Sequence, residues 1–288
     1  MRIRLDWAGD KLAQRLADIE AGLITPPTPR DASTVMVLRS GRPGPGGGVE
    51  VLMLRRVAAM KFAPGAYVFP GGSVDPADSD PEIGWQGPDP AEFGARLGAS
   101  AEMARALVCA AVRETFEESG VLLAGPPGGG PPSVPSGPSW DADREALAAG
   151  AATLAGLLAR RGLVLRADLL VPWARWITPE GEPRRFDARF FAAALPAGQV
   201  PTGHAAESDH IAWLRPADAI AAARAGEISL FPPTAATLND FAMADTVVAD
   251  TVAGILAAPP LIEPVLPRLV REDGQAWLYV PDEVGYPL

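Results

Sequence analysis

The chain has 288 residues, 48% of them hydrophobic, which suits one large domain or two small ones with a substantial core. Its 25 Lys and Arg against 35 Asp and Glu leave a formal charge of −10, so no net basic field exists to replace phosphate counterions, and nucleic acid is disfavoured as a partner. Cys109 is the single cysteine and His204 and His210 are the two histidines, which excludes an intrachain disulfide and argues against a Cys- or His-built metal site and a histidine triad.

The N-terminus, Met1-Arg2-Ile3-Arg4-Leu5-Asp6, lacks the apolar region of a secretory leader. No run reaches the apolar length of a membrane span. The final Val284-Gly285-Tyr286-Pro287-Leu288 is not a peroxisomal signal, so the expected location is cytoplasmic. Residues 7–22 carry Leu12, Leu16 and Ile19 at helical spacing and predict a short helix outside the core. After the proline run at 26–29, residues 33–39 and 49–56 read as strands of a hairpin, joined by the turn-rich segment 41–48. A helix is predicted over 101–119. Residues 125–138 are almost entirely Gly, Pro and Ser and predict a mobile linker. Residues 140–161 read as a helical insertion with Leu147, Leu154, Leu157 and Leu158 as its buried stripe. Strands follow at 169–177, 185–195 and 210–214, then a short helix at 216–225. Residues 234–256 read as helical with a break near Ala244-Asp245, and 266–271 with 276–280 read as a hairpin. No internal repeat is present. The expectation is one domain with its core at about 33–123 and 165–225 and a C-terminal extension over 226–288.

The strongest chemical signal is Arg113-Glu114-Thr115-Phe116-Glu117-Glu118-Ser119-Gly120-Val121. On a helix, Glu114, Glu117 and Glu118 stand at i, i+3 and i+4 and share one face. Like charges stacked this way destabilise a helix by roughly a few tenths of a kcal/mol per pair. A hard divalent cation takes oxygen ligands and would relieve that repulsion. The opposite stripe, Val108, Ala111, Val112, Thr115 and Phe116, suits a core. Gly120 stops the helix. For the Glu-Glu pair alone, a solvated acidic face is the competing reading.

The whole run resembles the second half of the Nudix box, Arg-Glu-(apolar)-x-Glu-Glu-x-Gly-(apolar), with Thr115 at the first apolar place. Phe69-Pro70-Gly71-Gly72 is similar to its first half. A standard box spaces its Gly and Arg by 14 positions, whereas Gly72 and Arg113 are 41 apart, so 27 residues are extra. Asp78 stands where the early Glu would follow Gly72. Pro76, Pro81, Pro88 and Pro90 make the extra segment read as a loop. A split box behind Phe62-Ala63-Pro64-Gly65-Ala66-Tyr67-Val68-Phe69-Pro70-Gly71-Gly72 resembles the branch of Nudix hydrolases that contains acyl-coenzyme A diphosphatases.

That resemblance implies an α+β fold, an α/β/α sandwich with a mixed sheet, extended by insertions and terminal helices. It implies hydrolysis of a diphosphate with Mg²⁺ or Mn²⁺ as cofactor. Glu117, Glu118 and the Gly71 carbonyl would hold metal, and Glu114 would assist the water or a second ion. Arg113 would orient the glutamates. Glu114, Glu117 and Arg113 form the catalytic set, with the general base unassigned among the glutamates. Glu207, in Glu207-Ser208-Asp209-His210-Ile211-Ala212-Trp213, is the candidate for an added metal carboxylate, with Asp209 as its competitor. Arg55, Arg56, Arg185 and Gly72 are the substrate-binding candidates, with Lys61, Arg175, Arg184 and Arg189 further ones. The implied substrate is a nucleoside diphosphate derivative, first coenzyme A or acyl-coenzyme A. ADP-ribose, NADH or a dinucleoside polyphosphate comes second, and a non-catalytic binding module third. A homodimer is left open.

Overall fold

Strand Arg30–Ser40 is apolar on both faces: Val35 and Val37 point one way, Met36 and Leu38 the other, and none of the four is exposed. A strand of this kind needs a layer on each side. The computed structural model describes residues 1–4, 9–41, 48–57, 65–203, 208–247, 251–272 and 275–288. In chain order the first elements are β1 (Arg2–Arg4), α1 (Gly9–Glu20), β2 (Arg30–Ser40), β3 (Val49–Arg56), β4 (Ala66–Val68) and β5 (Gly71–Ser73). A 3₁₀ turn at Pro76–Ser79, β6 (Trp85–Gln86), α2 (Pro90–Leu97), α3 (Ala101–Ser119) and β7 (Ala124–Gly125) follow. Next come α4 (Pro138–Ala148), α5 (Leu154–Arg161), β8 (Val164–Arg166), β9 (Val171–Ile177), β10 (Phe186–Ala194) and β11 (Ser208–Leu214). The chain continues through α6 (Pro216–Arg224), β12 (Ser229–Leu230), α7 (Pro232–Val247), α8 (Val252–Ala257) and β13 (Pro264–Val265) to β14 (Arg268–Glu272) and β15 (Gln275–Tyr279).

The central sheet runs β12-β4-β3-β2-β10-β9-β13, with β11 on β3 and β5 on β2. It is mixed: β2 and β10 are parallel, while β2–β3, β9–β10 and β3–β11 are antiparallel. On one face α2 and α3 bring Phe93, Leu107, Val108, Val112 and Phe116 against Val35, Val37, Leu52 and Phe191. On the other, α6, α7 and α8 bring Ile220, Leu238, Phe241 and Ile255 against Met36, Leu38, Met53 and Phe190. The expected α/β/α sandwich with a mixed sheet is therefore the observed one. Among the described residues no helix is long and apolar enough to cross a membrane.

The hairpin of β2 and β3 is paired only near its turn, from Ser40↔Val49 to Leu38↔Val51. Beyond that the strands part, and β4 and β5 fill the gap: β4 pairs with β3 and β5 with β2. The Phe69-Pro70 step between them is buried. This wedge fixes Gly71 and Gly72 at the middle of the sheet.

Two expectations drawn from Pro and Gly content need correction. The insertion after Asp78 is not a loop throughout. Asp89 and Glu92 form a reciprocal capping box with Pro90 in the first turn of α2, and Phe93 and Leu97 enter the core. Nor is 125–138 an untethered linker. Gly129 N–H donates to Gln86 Oε1 (3.1 Å), Ser133 N–H to the Ala124 carbonyl (2.9 Å), and Gln199 Nε2 to the Ser133 carbonyl (2.7 Å). A small sheet, β6-β8-β7, joins the box insertion to both ends of the helical insertion. The helix expected to break near Ala244-Asp245 runs through both residues to Val247, and α8 begins on the Thr251 cap.

Candidate active site

Helix α3 is capped at Ser100 and stopped by Gly120, whose φ of 71° is left-handed and suits glycine. Ser33 Oγ on β2 donates to the Leu107 carbonyl at 2.6 Å and pins the helix to the sheet. Val108, Ala111, Val112, Thr115 and Phe116 are all buried, as their spacing required. Thr115 fits an apolar place because its hydroxyl donates back to the Ala111 carbonyl (2.7 Å). Cys109 lies in the same core, where burial pushes its thiol up to about 12, so it is no nucleophile at neutral pH.

The other face of α3 converges on Arg113. Its Nε donates to Asp78 Oδ1 and its Nη2 to Asp78 Oδ2, both at 2.9 Å. Nη2 also reaches the Ser73 carbonyl (2.9 Å), and Nη1 reaches Glu114 Oε1 (2.9 Å) and Glu117 Oε1 (3.3 Å). Burial disfavours the guanidinium charge, but the Asp78 hydrogen bonds and the charges of Glu114, Asp78 and Glu117 outweigh it and raise the Arg113 pKa further above the arginine range. Asp78, only 1% exposed, thus holds the place of the box's early glutamate. The box is split in sequence and joined in space.

In the β2–β5 ladder, Val35 N–H donates to the Pro70 carbonyl and Val74 N–H to the Asp31 carbonyl. Thr34 faces Gly71 and Ser33 faces Gly72 between them. Paired positions alternate in an antiparallel ladder, so the N–H and C=O of Gly71 point away from β2. The N–H donates to Glu118 Oε2 at 2.9 Å. Strand geometry puts the carbonyl on that same side, away from β2. A Cβ on Gly72 would lie 2.4 Å from Glu114 Oε1, and one on Gly71 would lie 2.4 Å from the Ser33 carbonyl and 2.7 Å from Thr34 Cα. The Gly71 clash is with backbone and cannot be relieved by a rotamer. Gly71→Ala should therefore lower stability by about 1–3 kcal/mol, read from a urea midpoint. An unchanged midpoint would mean that β5 can move off β2.

The carboxylate oxygens and the glycine carbonyl are donors of the kind a hard divalent cation takes, so this set fits Mg²⁺ or Mn²⁺. Among the described residues no three His, Cys, Asp or Glu side chains already form an ion cage. Glu114 and Glu117 are turned onto Arg113, and Glu118 onto the Gly71 N–H.

The substrate candidates fare unevenly. Arg55 and Arg56 end β3, half-buried, and strand alternation puts Arg56 on the α3 face with Leu52. Arg185 is a correction: it is buried, with Nε on the Thr178 carbonyl (2.9 Å) and Nη1 on the Pro27 carbonyl (3.0 Å), and it holds the proline run to the β9–β10 turn. Arg175 and Arg189 flank Asp187, and Arg189 also meets Asp31. Arg184 is exposed. Glu207, Lys61 and His204 lie outside the described residues; β11, which follows Glu207, begins with Ser208 opposite Arg56. Sequence reasoning missed Arg144 on α4, which reaches the end of α3: its Nε donates to the Glu117 carbonyl at 2.8 Å.

A family profile described as the NUDT19 Nudix domain matches residues 89–240, more than half of the chain. The chain belongs to the NUDT19 branch of the Nudix hydrolases. It is similar to acyl-coenzyme A diphosphatase NUDT19 of Gallus gallus, with 32% identity over 253 residues covering 71% of this chain and 65% of that protein. It is likewise similar to acyl-coenzyme A diphosphatase NUDT19 of Homo sapiens, with 31% identity over 229 residues covering 67% and 60%. The chain thus spans less than two thirds of the length of these curated relatives. A crystal structure of a Nudix hydrolase from Alicyclobacillus acidocaldarius, 29% identical, matches with a TM-score of 0.65 over 81% of this chain and 98% of that one. In this Nudix chain Asp78 stands at the place of the early glutamate and Thr115 at that of an apolar residue, while Glu114, Glu117 and Glu118 of the second half are kept.

Proposed function

We propose that the chain hydrolyses the diphosphate linkage of coenzyme A or acyl-coenzyme A, yielding 3′,5′-ADP and phosphopantetheine or its acyl form. The observation that carries this is the rebuilt box: Arg113 gathers Asp78, Glu114 and Glu117 while Glu118 meets Gly71. The substrate class is supported by the acyl-coenzyme A diphosphatase activity for which the similar NUDT19 proteins are named and by the insertion within the box. In the reaction a water oxygen bonds to one phosphorus, the bond from that phosphorus to the bridging oxygen breaks, and the bridging oxygen leaves with the other phosphate. Glu114, Glu117, Glu118, the Gly71 carbonyl and Glu207 would hold Mg²⁺ or Mn²⁺. The bound cation supplies charge neutralisation on the diphosphate and a lowered pKa for water. Glu114 or Glu117 takes the proton of the attacking water, and Arg113 keeps both carboxylates in place while they change partners. Arg56 contacts a phosphate oxygen from the end of β3.

The test is mass spectrometry of a panel containing coenzyme A, acetyl-coenzyme A, ADP-ribose, NADH and a dinucleoside polyphosphate, with Mg²⁺ or Mn²⁺. Coenzyme A and its ester should be cut and EDTA should abolish the reaction. Inert coenzyme A beside rapid turnover of ADP-ribose or a dinucleotide would overturn the substrate assignment. Activity indifferent to EDTA would overturn the metal assignment.

A further inference from the structure

Helix α4 belongs to the insertion between the box and the later strands, yet it is fastened to the last turn of the box helix. Trp140 packs edge-on against Phe116, with ring centroids 6.0 Å apart. One turn later, Arg144 is 8% exposed and extends across the end of α3. Its Nε donates to the Glu117 carbonyl, Nη1 to Thr202 Oγ1 and Nη2 to the Thr202 carbonyl, each at 2.8 Å. Thr202 N–H in turn donates to the Ser119 carbonyl at 2.8 Å. The last carbonyls of a helix have no partner within it. Here Phe116 is served by Gly120 N–H, Glu117 by Arg144 and Ser119 by Thr202. The junction is close: a Cβ on Gly120 would stand 3.1 Å from Thr202 Oγ1 and 3.3 Å from Arg144 Nη1.

The geometry points to Arg144 as a positioning residue that clamps the turn bearing Glu117 and Glu118 to Thr202, and so holds that turn in place. The clamp acts through backbone and through Thr202, because the Arg144 guanidinium faces carbonyls and a hydroxyl. A planar fork is suited to three acceptors in this arrangement, and a lysine ammonium would reach only part of them. The idea rests on the box as the metal face.

The test uses Arg144→Met, Arg144→Lys and Thr202→Val in the full chain, with Glu118→Gln as a control. Two quantities are read: binding of Mn²⁺ alone, from the EPR signal of the free ion, and kcat and KM with coenzyme A. Arg144→Met should weaken Mn²⁺ binding and lower kcat, each by about 10–100-fold, since groups that orient metal ligands act on this scale. KM should stay within about threefold, because the clamp touches no substrate atom. Arg144→Lys should recover part of both losses, and Thr202→Val should show a smaller loss in the same direction. If Arg144→Met does not fold, Arg144→Lys and Thr202→Val decide: wild-type Mn²⁺ affinity and kcat in both would overturn the clamp. A folded Arg144→Met with wild-type values would do the same. If the unmodified protein binds no Mn²⁺, or Glu118→Gln binds it equally well, the metal face itself is wrong.

Discussion

Glu117→Gln and Glu118→Gln should each lower kcat by about two orders of magnitude or more, because each removes one charged oxygen ligand from the proposed cation. The fold should survive both changes. A glutamine at 118 keeps a carbonyl oxygen to accept the Gly71 N–H, now made at 2.9 Å. A glutamine at 117 gives up only the longer of the Arg113 contacts, 3.3 Å against 2.9 Å for Glu114. Both changes also reduce repulsion among Glu114, Glu117 and Glu118, which offsets part of any loss. Steady-state kinetics and a thermal melt on the same preparations check the prediction. Wild-type turnover in either variant would remove that glutamate from the metal face.

Asp78→Ala should cost about 3–5 kcal/mol of stability, the range for removing one partner of a buried ion pair. The carboxylate accepts two hydrogen bonds from Arg113 and one from the Asp75 N–H, which caps the 3₁₀ turn. Arg113 would keep Glu114 and Glu117 as neighbours, and the released guanidinium would be drawn toward them, so activity should fall together with stability. Asp78→Asn keeps the shape and the turn cap while losing the charge, and should lie between. Urea titration of both variants reads the effect. A midpoint for Asp78→Ala indistinguishable from wild type would mean that the first half of the box is not tied to the second through this pair.

Much of the site was legible because it depends on spacing along one helix. The i, i+3, i+4 glutamates and the opposite stripe from Val108 to Phe116 needed only the 3.6-residue period. Asp78 could be placed by counting from Gly72, but its bond to Arg113 could not, since that bond closes a loop of 35 positions. Helix α2 was hidden by its own start signal: in Asp89-Pro90-Ala91-Glu92 the proline was read as a breaker, although the first turn tolerates it. The Gly- and Pro-rich segment at 125–138 was read as a linker because composition does not reveal that Gln86, Arg166 and Gln199 satisfy its backbone. Arginines were the least readable. Arg185 was expected at the substrate and serves two backbone carbonyls instead. Arg144 was not singled out, although Trp140, Arg144 and Leu147 at i, i+4 and i+7 share one helix face.

The most direct measurement is a single reaction of acetyl-coenzyme A with Mg²⁺ in ¹⁸O-water, analysed by mass spectrometry. The proposed chemistry predicts 3′,5′-ADP and acetyl-phosphopantetheine in equal amounts, with one ¹⁸O on one of the two new phosphates and the thioester intact. Label in released acetate, or unchanged acetyl-coenzyme A with folded protein and metal present, would contradict it.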